Sequence, residues 1–350
     1  MSLRLLILGT GGMANTHAEA FAAIPGVDLV AGVDPRPDAL QTFCQRHRIA
    51  KAFPSVEEAL DWGQFDAVAN VTPDAVHCAT TLPCLRAGKH VLCEKPLATT
   101  AGDAQAMAAA ARAAGVVNMV NLSYRNGPAV QQAARMVAEG AIGPVRHFEA
   151  SYLQSWLTQP AWGDWRTEPK WLWRLSSTHG SKGVLGDVGI HILDFATFVA
   201  GQGVAEVSAR LATFDKAPEG RIGEYGLDAN DSATMQLRLD GGGLGVVHAT
   251  RLATGHLNDL RLRIFGDLGG LEVGFERGQS TLRACTGDDR QTAIWRDLAC
   301  ADVPSVYQRF VAAIREEGAP APDFARGAEL QRLLDRAEES AAQGGLALRP

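Results

Sequence analysis

The sequence predicts an α/β protein in two parts: an N-terminal doubly wound parallel sheet, then a C-terminal α/β domain built on an open, mostly antiparallel sheet. Three observations carry this. A short apolar run from Leu3 to Leu8 breaks at Gly9-Thr10-Gly11-Gly12-Met13-Ala14. Apolar strands and helical stretches then alternate as far as residue 122. From Val145 the hydrophobic period falls to two, with few helices between the strands. The expected boundaries are 1–122 for the first domain and 123–326 for the second, with a helix at about 327–342 packing back on the first.

The opening run is too short to span a membrane and reads as the first strand. The turn after it is the G-x-G-x-x-A form of the Rossmann fingerprint. Gly9 permits the tight turn, Gly11 lets backbone approach a pyrophosphate, and Ala14 stands where a third glycine would allow close helix packing. The helix predicted over 16–23 points its positive N-terminus at the phosphates. An ordinary glycine turn gives the same letters, so the next strand matters. It covers 27–33 and ends in Asp34, 20 residues past Ala14, the spacing of the acid that accepts hydrogen bonds from the adenosine ribose. A helix cap before 36–46 is the other reading of Asp34. An acid here repels a 2′-phosphate and favours NAD. Arg36, able to cover an adenine or pair with a 2′-phosphate, keeps NADP open.

Further along, 65–71 reads as a buried strand ending in Thr72-Pro73, 76–87 as a helix, and His90-Val91-Leu92-Cys93 as a strand leading into Glu94-Lys95-Pro96. An alanine-rich helix over 101–114 stops at Gly115, and 116–122 is the sixth strand, after which Ser123-Tyr124-Arg125 leaves the domain. The second half carries alternating strands at 145–152, 205–214, 232–239, 245–253, 260–265 and 270–273. Helices are expected at 187–199, 303–317 and 327–342.

The 350 residues fit two domains, and 46% hydrophobic with 21% charged residues describes a soluble globular chain. A net charge of −6 with scattered lysines and arginines argues against nucleic acid or an anionic membrane as partner. Six cysteines (Cys44, Cys78, Cys84, Cys93, Cys285 and Cys300) include no C-x-x-C pair and read as reduced thiols, hence a cytoplasmic protein. No signal-peptide pattern precedes the first strand, and no apolar stretch is long enough to cross a bilayer.

Two clusters suit redox chemistry at a secondary alcohol, which needs a hydride acceptor, a base for the hydroxyl proton and positive charge near the oxygen. Lys95 follows the carboxyl end of a parallel strand, the edge where open α/β sheets bind ligands. Pro96 fixes the backbone there and allows a cis peptide bond. The second cluster is Gly186-Asp187-Val188-Gly189-Ile190-His191, where helical spacing places Asp187 and His191 on one face, the carboxylate orienting the imidazole as a base. An N-cap aspartate beside a core-edge histidine, or a zinc-binding pair lacking a further ligand, are the alternatives. No metal is expected.

Gly9 to Ala14, Thr72-Pro73 with His77, Glu94-Lys95-Pro96 and Gly186-Asp187-x-x-x-His191 together resemble the glucose-fructose oxidoreductase / inositol dehydrogenase / rhizopine catabolism (Gfo/Idh/MocA) family through nearly the whole chain. The resemblance implies NAD(P) in the first domain, a sugar or cyclitol as substrate, and Lys95, Asp187 and His191 as the catalytic set. It also implies that Thr72, Pro73, His77 and Glu94 serve the cofactor, that Arg174, in a Trp173-Arg174 segment, reaches the cofactor phosphates or the substrate, and that Tyr124 and Arg125 contact substrate.

The chain departs from the family's glycine run before Gly186, reading Gly180-Ser181-Lys182-Gly183-Val184-Leu185. Lys182 is thus either a positive charge suited to an anionic sugar or a solvated loop lysine. Trp156, Trp162, Trp165, Trp171 and Trp173 crowd one segment. They suit stacking on sugar rings, with Arg166, His179 and Asp164 bonding hydroxyls; anchoring a long loop or a subunit interface is the other reading. An open sheet with a face to hide implies a homo-oligomer, dimer or tetramer. Two rival functions share the fingerprint: a glycoside hydrolase or lyase that oxidises a ring carbon transiently with tightly held NAD, and a non-catalytic dinucleotide sensor.

Overall fold

The computed structural model describes residues 2–350. They divide into two compact units, 2–123 with Pro304–Gln331, and Tyr124–Val303 with Arg332–Pro350.

In the first unit β1 (Leu3–Leu8), β2 (Val27–Val33), β3 (Lys51–Phe53), β4 (Ala67–Asn70), β5 (His90–Cys93) and β6 (Asn118–Val120) form a parallel sheet in the order β3-β2-β1-β4-β5-β6. The helices between them are α1 (Gly12–Ala22), α2 (Pro37–His47), α3 (Val56–Trp62), α4 (His77–Arg86) and α5 (Ala101–Ala114). Helices cover both faces of such a sheet, which is why β1 and β4 are near-continuous apolar runs rather than alternating ones. Strand order reverses between β1 and β4, and the chain leaves both strands there, at Gly9 and Val71. Open α/β sheets hold ligands at that reversal.

In the second unit the strands are β7 (Val145–Leu153), β8 (Val204–Ala212), the two-residue pair β9 (Arg221–Ile222) and β10 (Tyr225–Gly226), β11 (Ser232–Leu239), β12 (Leu244–Thr250), β13 (Asp259–Gly266), β14 (Gly269–Glu276), β15 (Gln279–Thr286) and β16 (Arg296–Leu298). Eight of them make a mixed sheet, β16-β15-β14-β13-β7-β12-β11-β8. Among the described residues β7–β12 is its parallel pair and the others are antiparallel. Helices α6 (Pro128–Ala138), α7 (Pro169–Leu172) and α8 (Ile190–Ala200) belong to this unit. The inner face buries Phe148, Ala150, Val247, Ala249, Leu262 and Ile264, and α8 is apolar on nearly every side.

The outer face is charged. Val246, Glu149, Arg263, Glu272, Arg283 and Asp297 stand in register across six adjacent strands. Ion pairs run along this row, Arg263–Glu149 at 2.6 Å, Arg263–Glu272 at 3.3 Å, Arg283–Glu272 at 2.8 Å and Arg283–Asp297 at 3.5 Å. Opposite charges directly across strands each add a few tenths of a kcal/mol, so the ladder supports the sheet without an apolar cover. Leu244 and Val246 are its exposed apolar residues on β12.

Helix α9 (Val306–Ile314) packs in the first unit, where Val306, Phe310 and Val311 join the core around Phe21 and Leu5. The boundary at 326 places it in the second domain, while the sequence also allows both late helices, 303–317 and 327–342, to pack back on the first. Helix α10 (Phe324–Ala342) starts in the first unit and ends in the second. Just ahead of it the Pro322 carbonyl accepts from Val120 N–H at 2.9 Å, covering the outer edge of β6. Periodicity passes over β3, α3, α6, β15 and β16; three of these are three to seven residues long, too short for a period to stand out.

Candidate active site

Gly9 turns the chain with φ +89°, and a Cβ there would lie 2.8 Å from the Val71 carbonyl oxygen, so the position admits only glycine without strain. At Gly11 and Gly12 an added Cβ would meet nothing within 4 Å. Helix α1 begins there with no side-chain cap and no acid in its first turn. Free N–H groups at a positive helix end above open space are a cradle for a pyrophosphate, and these residues fit a dinucleotide.

Asp34, 4% exposed, follows the end of β2. Its Oδ2 accepts from Thr10 N–H (2.9 Å), Thr10 Oγ1 (2.8 Å) and Arg36 Nη2 (2.9 Å), and its Oδ1 from Arg36 N–H and Nε at 2.9 Å each. Burial alone would raise its pKa, but the bonds from Arg36 and Thr10 outweigh that and hold the carboxyl far below the usual range. A carboxylate offers about four lone-pair sites, so five donors saturate it. Any further donor to Asp34 has to displace part of the Arg36 grip.

At the end of β4 the fully buried Asn70 accepts from Thr72 N–H (3.1 Å) and Oγ1 (2.7 Å) while donating to Thr81 Oγ1 (2.8 Å). His77, fully buried, lies with Nε2 2.8 Å from the Thr72 carbonyl oxygen and Nδ1 2.8 Å from that of Pro96. The Lys95–Pro96 peptide is cis. Glu94 accepts from Lys95 N–H at 3.1 Å and from Asn121 Nδ2 at 2.6 Å, with His17 Nε2 at 2.7 Å. Burial opposes its charge, yet His17, Asn121 and Lys95 bring its pKa down to about 2. Sequence reasoning passes over Asn70, Asn121 and His17. Only His17 leaves a signal, standing on the buried face of α1 with Ala14, Ala18 and Phe21.

In the second unit the helix predicted from Asp187 is wound differently. Leu185–Gly189 is a π-helical turn, and α-helical winding starts at Ile190. The spacing from Asp187 to His191 therefore runs through π winding rather than a regular α-turn; such turns recur at functional sites. Asp187 has arginine partners: Arg251 Nη2 donates to its Oδ2 at 3.1 Å, and Arg174 Nε lies 3.7 Å from the same oxygen. Arg251 is fully buried, donates through Nη1 to the Arg174 carbonyl at 3.0 Å and stands 5.0 Å over the Trp156 ring. Burial pulls its pKa down, and Asp187 and Asp231 oppose that. The sequence does carry a mark of it, because 245, 247 and 249 on β12 and 251 just past its end share inward parity and the last is a cation.

His191, 7% exposed, meets the edge of Tyr124 at 4.9 Å, and Tyr124 and Tyr152 hydroxyls lie 2.8 Å apart. Tyr152 donates on to Asn258 Oδ1 at 2.7 Å. Arg125 is buried, bonded to Asp194 Oδ1 at 2.8 Å and lying 4.1 Å over Phe198. Lys182 pairs with Glu338 at 3.5 Å, so its charge is matched. Trp156 and Trp165 are buried in a small core with Leu172, Leu175 and Leu227, and Trp162 and Trp171 pack on it. That packing favours the loop-anchor reading of the tryptophans. Arg174 lies 4.6 Å over Trp173, Arg166 4.5 Å over Trp165, and His179 4.4 Å from Tyr225. Among the described residues no group of three or more His, Cys, Asp or Glu is placed to hold a metal, and no helix is long and apolar enough to cross a membrane.

Residues 3–122 match the family model for an oxidoreductase family with an NAD-binding Rossmann fold, and residues 130–272 match the Gfo/Idh/MocA C-terminal domain. The chain belongs to the Gfo/Idh/MocA family and is an NAD(P)-dependent oxidoreductase. Levoglucosan dehydrogenase of Pseudarthrobacter phenanthrenivorans is 27% identical over 98% of this chain and 97% of its own length. A crystal structure of an oxidoreductase domain protein from Kribbella flavida is 31% identical, with TM-score 0.86 over 99% of both chains. A levoglucosan dehydrogenase solved with NADH and levoglucosan has TM-score 0.88 at 26% identity, over 100% of this chain and 99% of that one.

Proposed function

We propose that the protein oxidises a secondary alcohol of a sugar, sugar derivative or cyclitol, reversibly, with NAD as the preferred cofactor. The observation that carries this reading is the full-length likeness to a sugar dehydrogenase. Bound NAD supplies the hydride acceptor. The chain's part is to orient the substrate, take the hydroxyl proton and offset negative charge on its oxygen. Lys95, half-buried after β5, supplies the ammonium that stabilises the oxygen and exchanges its proton. His191 serves as the partner acid or base, and Asp187, oriented by Arg251, binds a substrate hydroxyl and balances charge. Tyr124 and Tyr152 offer further hydroxyl partners beside His191. Gly9–Ala14, Asp34, Arg36, Thr72 and Pro73 hold the dinucleotide. The carbohydrate is a small-molecule partner, and copies of the chain associate through the outer sheet face.

The test is a screen of levoglucosan, aldoses, uronates, cyclitols and glycosides against NAD and NADP, read by reduced-cofactor fluorescence. Net reduction with a free sugar or cyclitol supports the reading. Glycoside cleavage without net reduction replaces it with the transient-oxidation reaction. Lys95→Ala is expected to abolish turnover with NAD affinity within threefold of the parent; full turnover in that variant removes the lysine from the mechanism.

A further inference from the structure

We propose that His77 is held as an imidazolium at neutral pH, where it ties the Thr72-Pro73 and Lys95-Pro96 loops together and so positions Lys95. The role of Lys95 rests on the function proposed above; the charge of His77 does not.

Both ring nitrogens lie 2.8 Å from carbonyl oxygens, Nε2 from Thr72 and Nδ1 from Pro96. A carbonyl oxygen only accepts, whereas a neutral imidazole has one donor and one acceptor nitrogen. In the neutral form one nitrogen lone pair would face an oxygen lone pair at bonding distance inside a dry core. Only the doubly protonated ring satisfies both partners.

The setting otherwise opposes this charge. The side chain is fully buried, and His77 is the first residue of α4, where the helix end is positive. Against these stand first Cys93 at the end of β5, then the Asp74 side chain on the turn before α4 and the Pro96 carbonyl, with the Thr72 carbonyl on the other ring nitrogen. The balance comes out on the side of the cation, with the pKa raised to about 10 even though burial, the largest single influence, acts to lower it. A neutral donor such as glutamine has one side-chain nitrogen and cannot reach two carbonyls on opposite sides of a ring. The cation therefore does what no uncharged substitute does at this site. It fixes the ends of β4 and β5 to each other on either side of Lys95's loop, next to Thr72.

The experiment uses the full-length protein labelled with 15N-histidine, titrated from pH 6 to 9 and read by long-range 15N–1H correlation. One histidine is expected to keep both ring nitrogens protonated throughout, and its signal to vanish in His77→Gln and in His77→Asn. Loss of every doubly protonated ring by pH 9, or assignment of the persistent one to another histidine, overturns the charge. These outcomes need only the wild-type protein and whichever variant folds. In folded His77→Gln, kcat is expected to fall at least tenfold with NAD affinity within threefold and the pH profile displaced. Unchanged kcat and profile beside an inactive Lys95→Ala overturn the positioning role. An active Lys95→Ala would instead sink the catalytic reading of that lysine and leave the charged tie to be judged by the titration alone.

Discussion

The Arg251 guanidinium, with no exposed side-chain surface, donates to Asp187 Oδ2 at 3.1 Å. A buried cation is retained at a desolvation cost of several kcal/mol unless it is paired, and the pairing here falls on the carboxylate of the Gly186-Asp187-x-x-x-His191 element. Arg251→Met is expected to lower kcat at least tenfold and to destabilise the fold by about 2–4 kcal/mol, since it takes the Arg251 guanidinium from Asp187. Arg251→Lys should recover stability more than turnover, because one ammonium cannot serve Asp187 and the Arg174 carbonyl in the same planar geometry. Steady-state kinetics beside urea melts check this; a methionine variant with parental kcat removes Arg251 from the catalytic arrangement.

Cofactor choice follows from the saturated Asp34. Asp34→Ala is expected to weaken NAD by about 10- to 100-fold, the worth of one or two hydrogen bonds to a charged group, and to change NADP much less. Arg36→Ala frees two acceptor positions on the carboxylate and should leave NAD binding equal or tighter while weakening NADP. Titration calorimetry with both cofactors decides, and equal losses for the two in Asp34→Ala would deny the acid its discriminating role.

Gly9→Ala places a Cβ 2.8 Å from a backbone oxygen at φ +89°, where no flexible side chain can give way. The expected cost is about 2–4 kcal/mol of stability, together with weaker dinucleotide binding. A differential scanning trace unchanged from the parent would contradict it.

Half-buried Glu94 and buried His77 are expected to limit the stability of the first unit at opposite ends of the pH range. Glu94 has its pKa lowered to about 2, so the stability it contributes is complete above the ordinary carboxylate value near 4.5 and is lost as pH falls towards 2. His77 has its pKa raised to about 10, so its contribution is complete below about 6.5 and is lost as pH rises towards 10. Denaturation midpoints measured across pH should fall on both sides. Glu94→Gln should flatten the acid limb, and an acid limb identical to the parent's would show that the carboxylate does not control it.

Much of the first unit can be read directly from its residues, because buried parallel strands are apolar throughout and each ends in a residue with its own chemistry: Gly9, Asp34, Asn70 and Glu94. The strands at 232–239 and 145–152 are equally plain, since one covered face imposes a period of two. What escapes is of two kinds. Elements such as β3 and β16 have only three residues each. Partnerships such as Arg251 with Asp187, or His17 with Glu94, join positions 64 and 77 residues apart, and no local pattern encodes which carboxylate a buried cation meets. The π-wound turn at Leu185–Gly189 belongs with these, because its spacing reads as an ordinary helix.

The stretch after residue 303 supplies α9 to one body and, through the far half of α10 and a backbone pair between Leu348 and Val207, closes the other. Neither body is complete until residues beyond 303 have left the ribosome. Maturation of the two halves is thus tied to a single late event, and a product terminated near residue 303 would be two unfinished pieces rather than one sound domain with a remnant attached.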